Sequence, residues 1–431
     1  MDICIIGAGY VGLTTAAVLA DIGHTVFCTD RDEAKIDQLK QGVIPVYEPG
    51  LSAMLLRNME SGKLIFDTSV SAYISQCPIL MIAVGTPPSK DGSADLSAIY
   101  SVIRNIADMI RSPKTIVIKS TVPPGTADQI KQWLLAHSVS PDLFHIVSNP
   151  EFLREGTAIY DTLHPDRIVI GAVEQSAALQ VKELYKTITT TFLLTTNREA
   201  ELIKYASNAF LAVKVSFINE ISKVCEAFNA DITRVAEGIG LDKRIGPQFL
   251  QAGLGYGGSC LPKDVDALIH AAESKQLKMR MLNAAKKINR SQLSLYVNKL
   301  KSKLGECSHN QRIAVWGATF KENTDDIRAS QAIALMKKLT KLGYHVYAYD
   351  PLAHPSLPSV IWCESAYEAV EQSDALIVAT CWPEFMEADW LTVKQAMRRP
   401  VIVDARNRLD RAMLQSLGFE YTGIGRPEST T

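Results

Sequence analysis

Ile3-Cys4-Ile5-Ile6-Gly7-Ala8-Gly9-Tyr10-Val11-Gly12 opens the chain, and Leu13 to Ala20 continues it as a run of small and apolar residues with helical character. An apolar strand that runs directly into three glycines at this spacing and then into a helix marks the first turn of a dinucleotide-binding, doubly wound sheet. Gly7 permits the tight turn, Gly9 lets the backbone approach a pyrophosphate, and Gly12 allows helix and strand to pack closely, while the helix N-terminus offers N–H donors to phosphate. The next strand, 25–29, ends in Asp30, where a carboxylate would bond the adenosine ribose hydroxyls and repel a 2′-phosphate. NAD is therefore expected over NADP, with Arg31 as the opposing feature. A glycine turn that binds no nucleotide is the competing reading, and Asp30 weighs against it.

Outward from this turn, short apolar strands recur at 64–66, 79–84, 115–118, 145–147 and 167–170, with helical segments such as 98–109 and 127–136 between them. Strand alternating with helix predicts a parallel, doubly wound sheet. Ligands of such sheets bind beyond the carboxyl ends of strands, where three polar loops fall: Gly85-Thr86-Pro87-Pro88, Ser120-Thr121-Val122-Pro123-Pro124-Gly125-Thr126, and Asn149-Pro150-Glu151-Phe152-Leu153-Arg154-Glu155-Gly156. Ordinary turn chemistry explains the proline-rich loops equally well. Glu151 and Glu155, bracketing Arg154 beside a strand end, read as functional.

From Glu199 to about Asn229 the pattern is helical without a break, a length that suits a bridge between domains. Lys204 and Asn208 share a face of this helix, for which a solvated surface is the ordinary alternative. Leu211, Val215, Ile218 and Ile221 form an apolar stripe expected to be buried in a helix-to-helix contact between two subunits. Downstream, Gly255-Tyr256-Gly257-Gly258-Ser259-Cys260-Leu261-Pro262-Lys263-Asp264 delivers one cysteine to the start of a helix expected over 263–273, with Pro262 suited to its first turn. Unpaired N–H groups, the positive end of the helix dipole and Lys263 all favour a thiolate, so Cys260 reads as a nucleophile, with Asp264 four residues on. A buried structural cysteine under a glycine-rich turn is the alternative, and it explains neither the glycines nor the Lys-Asp pair.

A second helical region follows over 279–304, and the polar stretch 302–311 reads as a linker. Strands at 312–316, 345–349, 375–379 and 401–403 then begin another α/β series. Its first turn holds the single glycine Gly317, so this second Rossmann-like domain is not expected to bind a dinucleotide in the same way. Phe320, Lys321, Arg328 and Arg406 lie after strand ends or in the loops beyond, where a solvated surface is the default for basic side chains. The fold class is α/β, two Rossmann-like doubly wound domains joined by a long central helix, divided as 1–197, 198–305 and 306–431.

Bulk properties agree. A chain of 431 residues exceeds one ordinary core, and 47% hydrophobic with 21% charged residues describes a soluble globular protein. A net charge of −1 without basic runs argues against nucleic acid and anionic membranes as partners. No leader or membrane-spanning run is read, so a cytoplasmic location is expected. The cysteines, Cys4, Cys28, Cys77, Cys225, Cys260, Cys307, Cys363 and Cys381, are scattered and suggest neither disulfides nor a metal site.

Over essentially its whole length the chain resembles the UDP-glucose/GDP-mannose dehydrogenase family. The resemblance rests on GAGYVG (7–12), STVPPGT (120–126), NPEFLREG (149–156), Lys204 with Asn208, RIGPQFL (244–250) and GYGGSCLPKD (255–264). RIGPQFL and Tyr256 look most like bacterial UDP-glucose 6-dehydrogenases. The resemblance implies an NAD-dependent four-electron oxidation of a nucleotide-sugar alcohol to a carboxylate, with UDP-glucose the expected substrate, through a thiohemiacetal and a thioester on Cys260. By position it implies that Lys204 and Asn208 stabilise oxyanions, that Asp264 assists acid/base steps, and that Thr121 and Glu151 order the catalytic water. Glu151, Phe152, Leu153, Arg154, Glu155, Lys204, Asn208, Phe249, Leu250, Gln251, Ala252, Gly253, Gly257, Phe320, Lys321 and Arg406 would hold the sugar nucleotide, and Arg244 would reach a neighbouring subunit's site. Gly7, Gly9, Tyr10, Val11, Gly12, Asp30, Lys35, Thr86, Thr121, Glu155, Lys263 and Arg328 would contact NAD. A homodimer or higher homo-oligomer is expected. The alternatives are the same chemistry on GDP-mannose or UDP-N-acetylmannosamine, a two-electron β-hydroxyacid-type dehydrogenase, and a non-catalytic sensor.

Overall fold

The strand–helix alternation builds two separate sheets in the computed structural model, which describes residues 1–306 and 310–427. The 302–311 linker and Cys307 therefore fall partly or wholly outside the described residues. The first sheet contains β1 (Asp2–Ile6), β2 (Thr25–Thr29), β3 (Leu64–Asp67), β4 (Ile79–Ile82), β5 (Lys114–Ile118), β6 (Phe144–Ser148), β7 (Arg167–Ala172) and β8 (Thr191–Thr195). Its order is β3-β2-β1-β4-β5-β6-β7-β8, so β1 lies inside and the chain winds outward first one way and then the other. Ile3, Cys4 and Ile5 have no exposed surface, because apolar clusters cover both faces of the sheet.

One expectation needs correction: the sheet is not parallel throughout. β7 pairs antiparallel with β6, through Val147↔Ala172 and Ser148↔Gly171, and β8 then follows β7 in parallel. The only helix between β6 and β7 is Ala158–Leu163. Six residues rise about 9 Å, too little to carry the chain back along a strand of roughly 17 Å. The chain therefore re-enters from the end at which it left.

The second sheet contains β9 (Arg312–Trp316), β10 (His345–Tyr349), β11 (Val360–Trp362), β12 (Ala375–Val378), β13 (Val401–Asp404) and β14 (Glu420–Gly423), all parallel, in the order β11-β10-β9-β12-β13-β14. This repeats the winding of the first six strands. Packing groups the chain into two units, Met1–Ser207 with Asp266–Leu277, and Asn208–Val265 with Lys278–Thr431.

The long helix spans Asn197–Ala227, starting two residues before the expected point because the Asn197 side chain ties its first turn to β6, accepting from Ser148 N and donating to Ile146 O. Its apolar stripe also needs correction. Ile218 is fully buried in the second unit's own core and Ile221 packs against that cluster, so these side chains are already spent. Leu211 and Val215 are half-buried, and the apolar side chains left exposed include Phe210, Phe217 and Val224, with Phe228 just beyond the helix end. Among the described residues, no helix is long and apolar enough to cross a membrane.

Candidate active site

The three glycines of the first turn differ in what surrounds them. A Cβ on Gly7, whose φ is +112°, would lie 2.6 Å from Ala83 O, and one on Gly12 would lie 1.8 Å from Gly7 O. Gly9 has nothing within 4 Å of that position, which leaves the backbone open to an incoming group. Tyr10 and Val11 begin the Tyr10–Asp21 helix directly after it. At the end of β2, Asp30 Oδ2 accepts from Ala8 N and Lys35 Nζ, both at 2.9 Å, and Oδ1 accepts from Asp32 N at 3.1 Å. Burial raises the Asp30 pKa, but Lys35 and these N–H groups outweigh it and hold the carboxyl below its ordinary range. An open backbone cradle beside an ionised carboxylate fits NAD. Thr86 Oγ1 donates to Thr121 O at 2.8 Å and so ties two of the strand-end loops together.

The loop after β6 and the long helix place a buried ion pair in the same unit. Lys204 Nζ lies 2.8 Å from Glu151 Oε1, and Glu151 Oε2 accepts from Leu153 N at 2.6 Å. Burial works against the Glu151 charge, yet Lys204, the Leu153 N–H and Lys119 together keep its pKa lowered. The Phe152 ring lies 3.8 Å from the Arg167 guanidinium and 5.4 Å from Lys204 Nζ. Thr121 and Glu155 are buried in this unit. Arg154 instead turns to Asp161, with Nε–Oδ2 at 3.0 Å and Nη2–Oδ1 at 2.6 Å. Lys119 was missed by sequence reading, although it immediately precedes Ser120. Its ammonium donates to Asn149 Oδ1 at 3.2 Å, and burial pulls its pKa down to about 8.

In the second unit, Asp264 is 1% exposed. Its Oδ2 accepts from Asn208 Nδ2 and its Oδ1 from Lys263 Nζ, both at 2.6 Å. Asp264 N donates to Cys260 O at 3.0 Å, so the Leu261–Glu273 helix starts immediately after the cysteine, two residues before the expected position. Cys260 is half-buried, with Ser259 Oγ 3.5 Å from its sulfur. Lys204 and Asn208 stand one turn apart on the continuous Asn197–Ala227 helix.

The neighbouring glycines let other segments approach closely, backbone at Gly253 and Gly257 and a ring at Gly258. A Cβ on Gly253 would lie 2.9 Å from Ala405 O, one on Gly257 would lie 2.4 Å from Ala329 O, and one on Gly258 would lie 2.8 Å from the Phe320 ring. Arg406 is held across the same region, donating from Nε to Ala379 O at 2.7 Å and from Nη2 to Phe320 O at 2.8 Å. Leu250 and Ala252 point into the core, which leaves only their backbone groups for a ligand. Phe249 has φ +64°, Gln251 is exposed, and Lys321 Nζ lies 5.9 Å from the Phe320 ring. Arg328 pairs with Asp326 and Arg244 with Asp242, both within their own loops.

The second Rossmann-like turn is plugged from within. Asp350 ends β10 as Asp30 ends β2, but it is fully buried. Its Oδ2 accepts from Ala318 N at 2.7 Å and from Thr319 N and Trp382 Nε1, both at 3.1 Å, while its Oδ1 accepts from Leu352 N and Ala353 N. The Ala318 contact repeats that of Asp30 with Ala8 N in the first turn; what differs here is that Asp350 also occupies Thr319 N and Trp382 Nε1 and is fully buried.

Comparison with known proteins agrees with this arrangement. Residues 1–189 match the NAD binding domain of the UDP-glucose/GDP-mannose dehydrogenase family, 198–291 its central domain and 314–411 its UDP binding domain. The chain is 52% identical to the YtcA protein of Bacillus subtilis strain 168, covering 99% of this chain and 100% of the relative. It is 40% identical to the UDP-glucose 6-dehydrogenase of Pseudomonas aeruginosa, covering 100% and 98%. A UDP-glucose dehydrogenase structure from the archaeon Pyrobaculum islandicum superposes with a TM-score of 0.90 at 37% identity, covering 99% and 97%. With three domain models matched in order and relatives aligned end to end, the chain belongs to the UDP-glucose/GDP-mannose dehydrogenase family.

Proposed function

We propose that this NAD-dependent dehydrogenase oxidises UDP-glucose to UDP-glucuronate, releasing two NADH for each sugar. The observation that carries the reading is Cys260 at the start of the Leu261–Glu273 helix, one turn before a buried Asp264 that holds Asn208 and Lys263. The helix N-terminus favours the thiolate. NAD, when bound, supplies the acceptor for hydride leaving C6. Lys204 and Asn208, one turn apart on the long helix, are assigned to the oxygen that gains charge, and Glu151 pairs with the Lys204 ammonium at 2.8 Å. Cys260 adds to the aldehyde, and loss of a second hydride from the thiohemiacetal gives a thioester. Water, ordered by Thr121 and Glu151, cleaves the thioester, supplying the second carboxylate oxygen, returning the thiolate and releasing its two protons to solvent. Because Glu151 is lowered in pKa, it serves better to orient this water than to take its proton.

Residues 1–197 are assigned to NAD, 198–305 to the cysteine chemistry and 306–431 to the sugar nucleotide, with Phe249 to Gly253, Gly257, Phe320, Lys321 and Arg406 as its contacts. The exposed Phe210, Phe217, Val224 and Phe228 face is assigned to a homodimer or higher homo-oligomer. Among the described residues the cysteines form no disulfide, which suits a reducing, cytoplasmic setting. Counting NADH released per molecule across a panel of UDP-glucose, GDP-mannose and UDP-N-acetylmannosamine tests the reading. Two NADH from UDP-glucose is the expected result, and one NADH, or preference for another sugar, overturns it.

A further inference from the structure

We propose that Glu48 is a positioning residue that couples occupancy of the dinucleotide turn to the conformation of the 149–156 loop; the assignment of ligands to these two segments rests on the function proposed above. Glu48 is 5% exposed. Its Oε2 accepts from the Tyr10 hydroxyl and from Gly156 N at 2.6 Å, and its Oε1 accepts from Ala158 N at 2.7 Å. Gly156 N also donates to the Tyr10 hydroxyl at 3.2 Å. Tyr10 follows Gly9 directly, and Gly156 ends the loop that carries Glu151 and Glu155. One carboxylate therefore clamps the backbone that meets the dinucleotide to the backbone that aims Glu151 at Lys204.

Burial, and then the bond to Glu48, push the Tyr10 phenol up, so it remains a donor. Among the described residues, Glu48 forms no ion pair with a lysine or arginine. A carboxylate buried without a cation is costly, and a neutral acceptor would satisfy two backbone N–H groups more cheaply. What the carboxylate adds is a rigid link that reaches Tyr10 and Gly156 with one oxygen. When a dinucleotide fixes the Gly9–Tyr10 backbone, the link transmits that restraint to the loop.

Hydrogen exchange of segment 151–158 with and without saturating NADH tests this. In the unaltered protein, NADH should slow exchange by about fivefold or more, the lower end of ordinary coupling between sites. Glu48→Gln should reduce that protection to within about twofold. Tyr10→Phe should do the same with a smaller loss of melting temperature in the ligand-free protein than Glu48→Gln, because Glu48 still holds Gly156 and Ala158. UDP-glucose affinity measured with and without NADH, a pair that cannot react, should lose its NADH dependence in both variants. Full NADH protection in both variants, or none in the unaltered protein, overturns the proposal. If UDP-glucose fails to bind the unaltered protein, the substrate assignment fails, and the exchange measurement still decides the coupling.

Discussion

Lys204 Nζ lies 2.8 Å from Glu151 Oε1, and the two side chains are 3% and 6% exposed. Removing one partner of such a pair leaves an uncompensated buried charge, at a cost of about 3–5 kcal/mol. In Lys204→Met the burial that raises the Glu151 pKa loses its main opposition. In the unaltered protein, where that pKa is lowered, the pair stabilises above the unfolded carboxyl value and its contribution is lost as pH falls. In the variant the raised carboxyl is tolerated only below that value, and stability declines as pH climbs. The melting-temperature gap between the two proteins should therefore widen from pH 5 to pH 7.5 and shrink in Lys204→Met/Glu151→Gln. A gap independent of pH would show that the pair does not carry the charge argument.

Lys119 carries a related penalty. With its pKa pulled from 10.5 to about 8 by burial, its charge costs the fold about 3 kcal/mol below pH 8, and the cost fades as pH rises toward 10.5. Lys119→Met should melt at a higher temperature at pH 7, and the advantage should shrink by pH 10. Thermal melts at the two pH values check this.

Cys260→Ser separates a nucleophile from a pocket wall. Serine is far less nucleophilic near neutral pH, and its ester hydrolyses more slowly than a thioester. Steady-state turnover should fall by at least about a thousandfold, while UDP-glucose and NAD still bind. Mass spectrometry after mixing with both should find an accumulated intermediate. Ordinary formation of UDP-glucuronate would refute the assignment.

Asp30 holds its charge through Lys35 and two backbone N–H groups. Asp30→Ala should raise the NADP-to-NAD ratio of kcat/KM by about tenfold, since one close charge contact is worth roughly 1.4 kcal/mol or more. Paired kinetics with the two cofactors measure it.

Phe217 sits midway along the exposed face of the long helix. Phe217→Asp should shift sedimentation at micromolar concentration toward the monomer, whereas Ile218→Ala should first lower the melting temperature, because Ile218 is already buried in the core. Equal sedimentation of Phe217→Asp and the unaltered protein would remove that face from the assembly.

Much of the fold was legible because its signals are local. Gly7, Gly9 and Gly12 state their roles through spacing, and β1, β2, β9 and β10 run as expected. β8 escaped notice because it is an edge strand whose Leu193 and Leu194 stay exposed, and β11 and β14 because three or four residues carry little pattern. The long helix misled because it has two apolar faces, and periodicity alone does not say which one its own chain will cover. Glu48 was invisible for another reason: it lies 38 residues from Tyr10 and 108 from Gly156, a meeting produced only by the fold.

Asp350 has a kinetic consequence. A dinucleotide entering the second Rossmann-like turn would have to expel a buried carboxylate from two N–H groups it already satisfies, which leaves the turn over 7–12 as the seat proposed for NAD. On the four-electron reaction proposed above, two hydrides would depart through that seat in succession. The first NADH would vacate while the half-oxidised sugar stays behind, and Cys260 would act as a tether that outlasts the exchange of carriers.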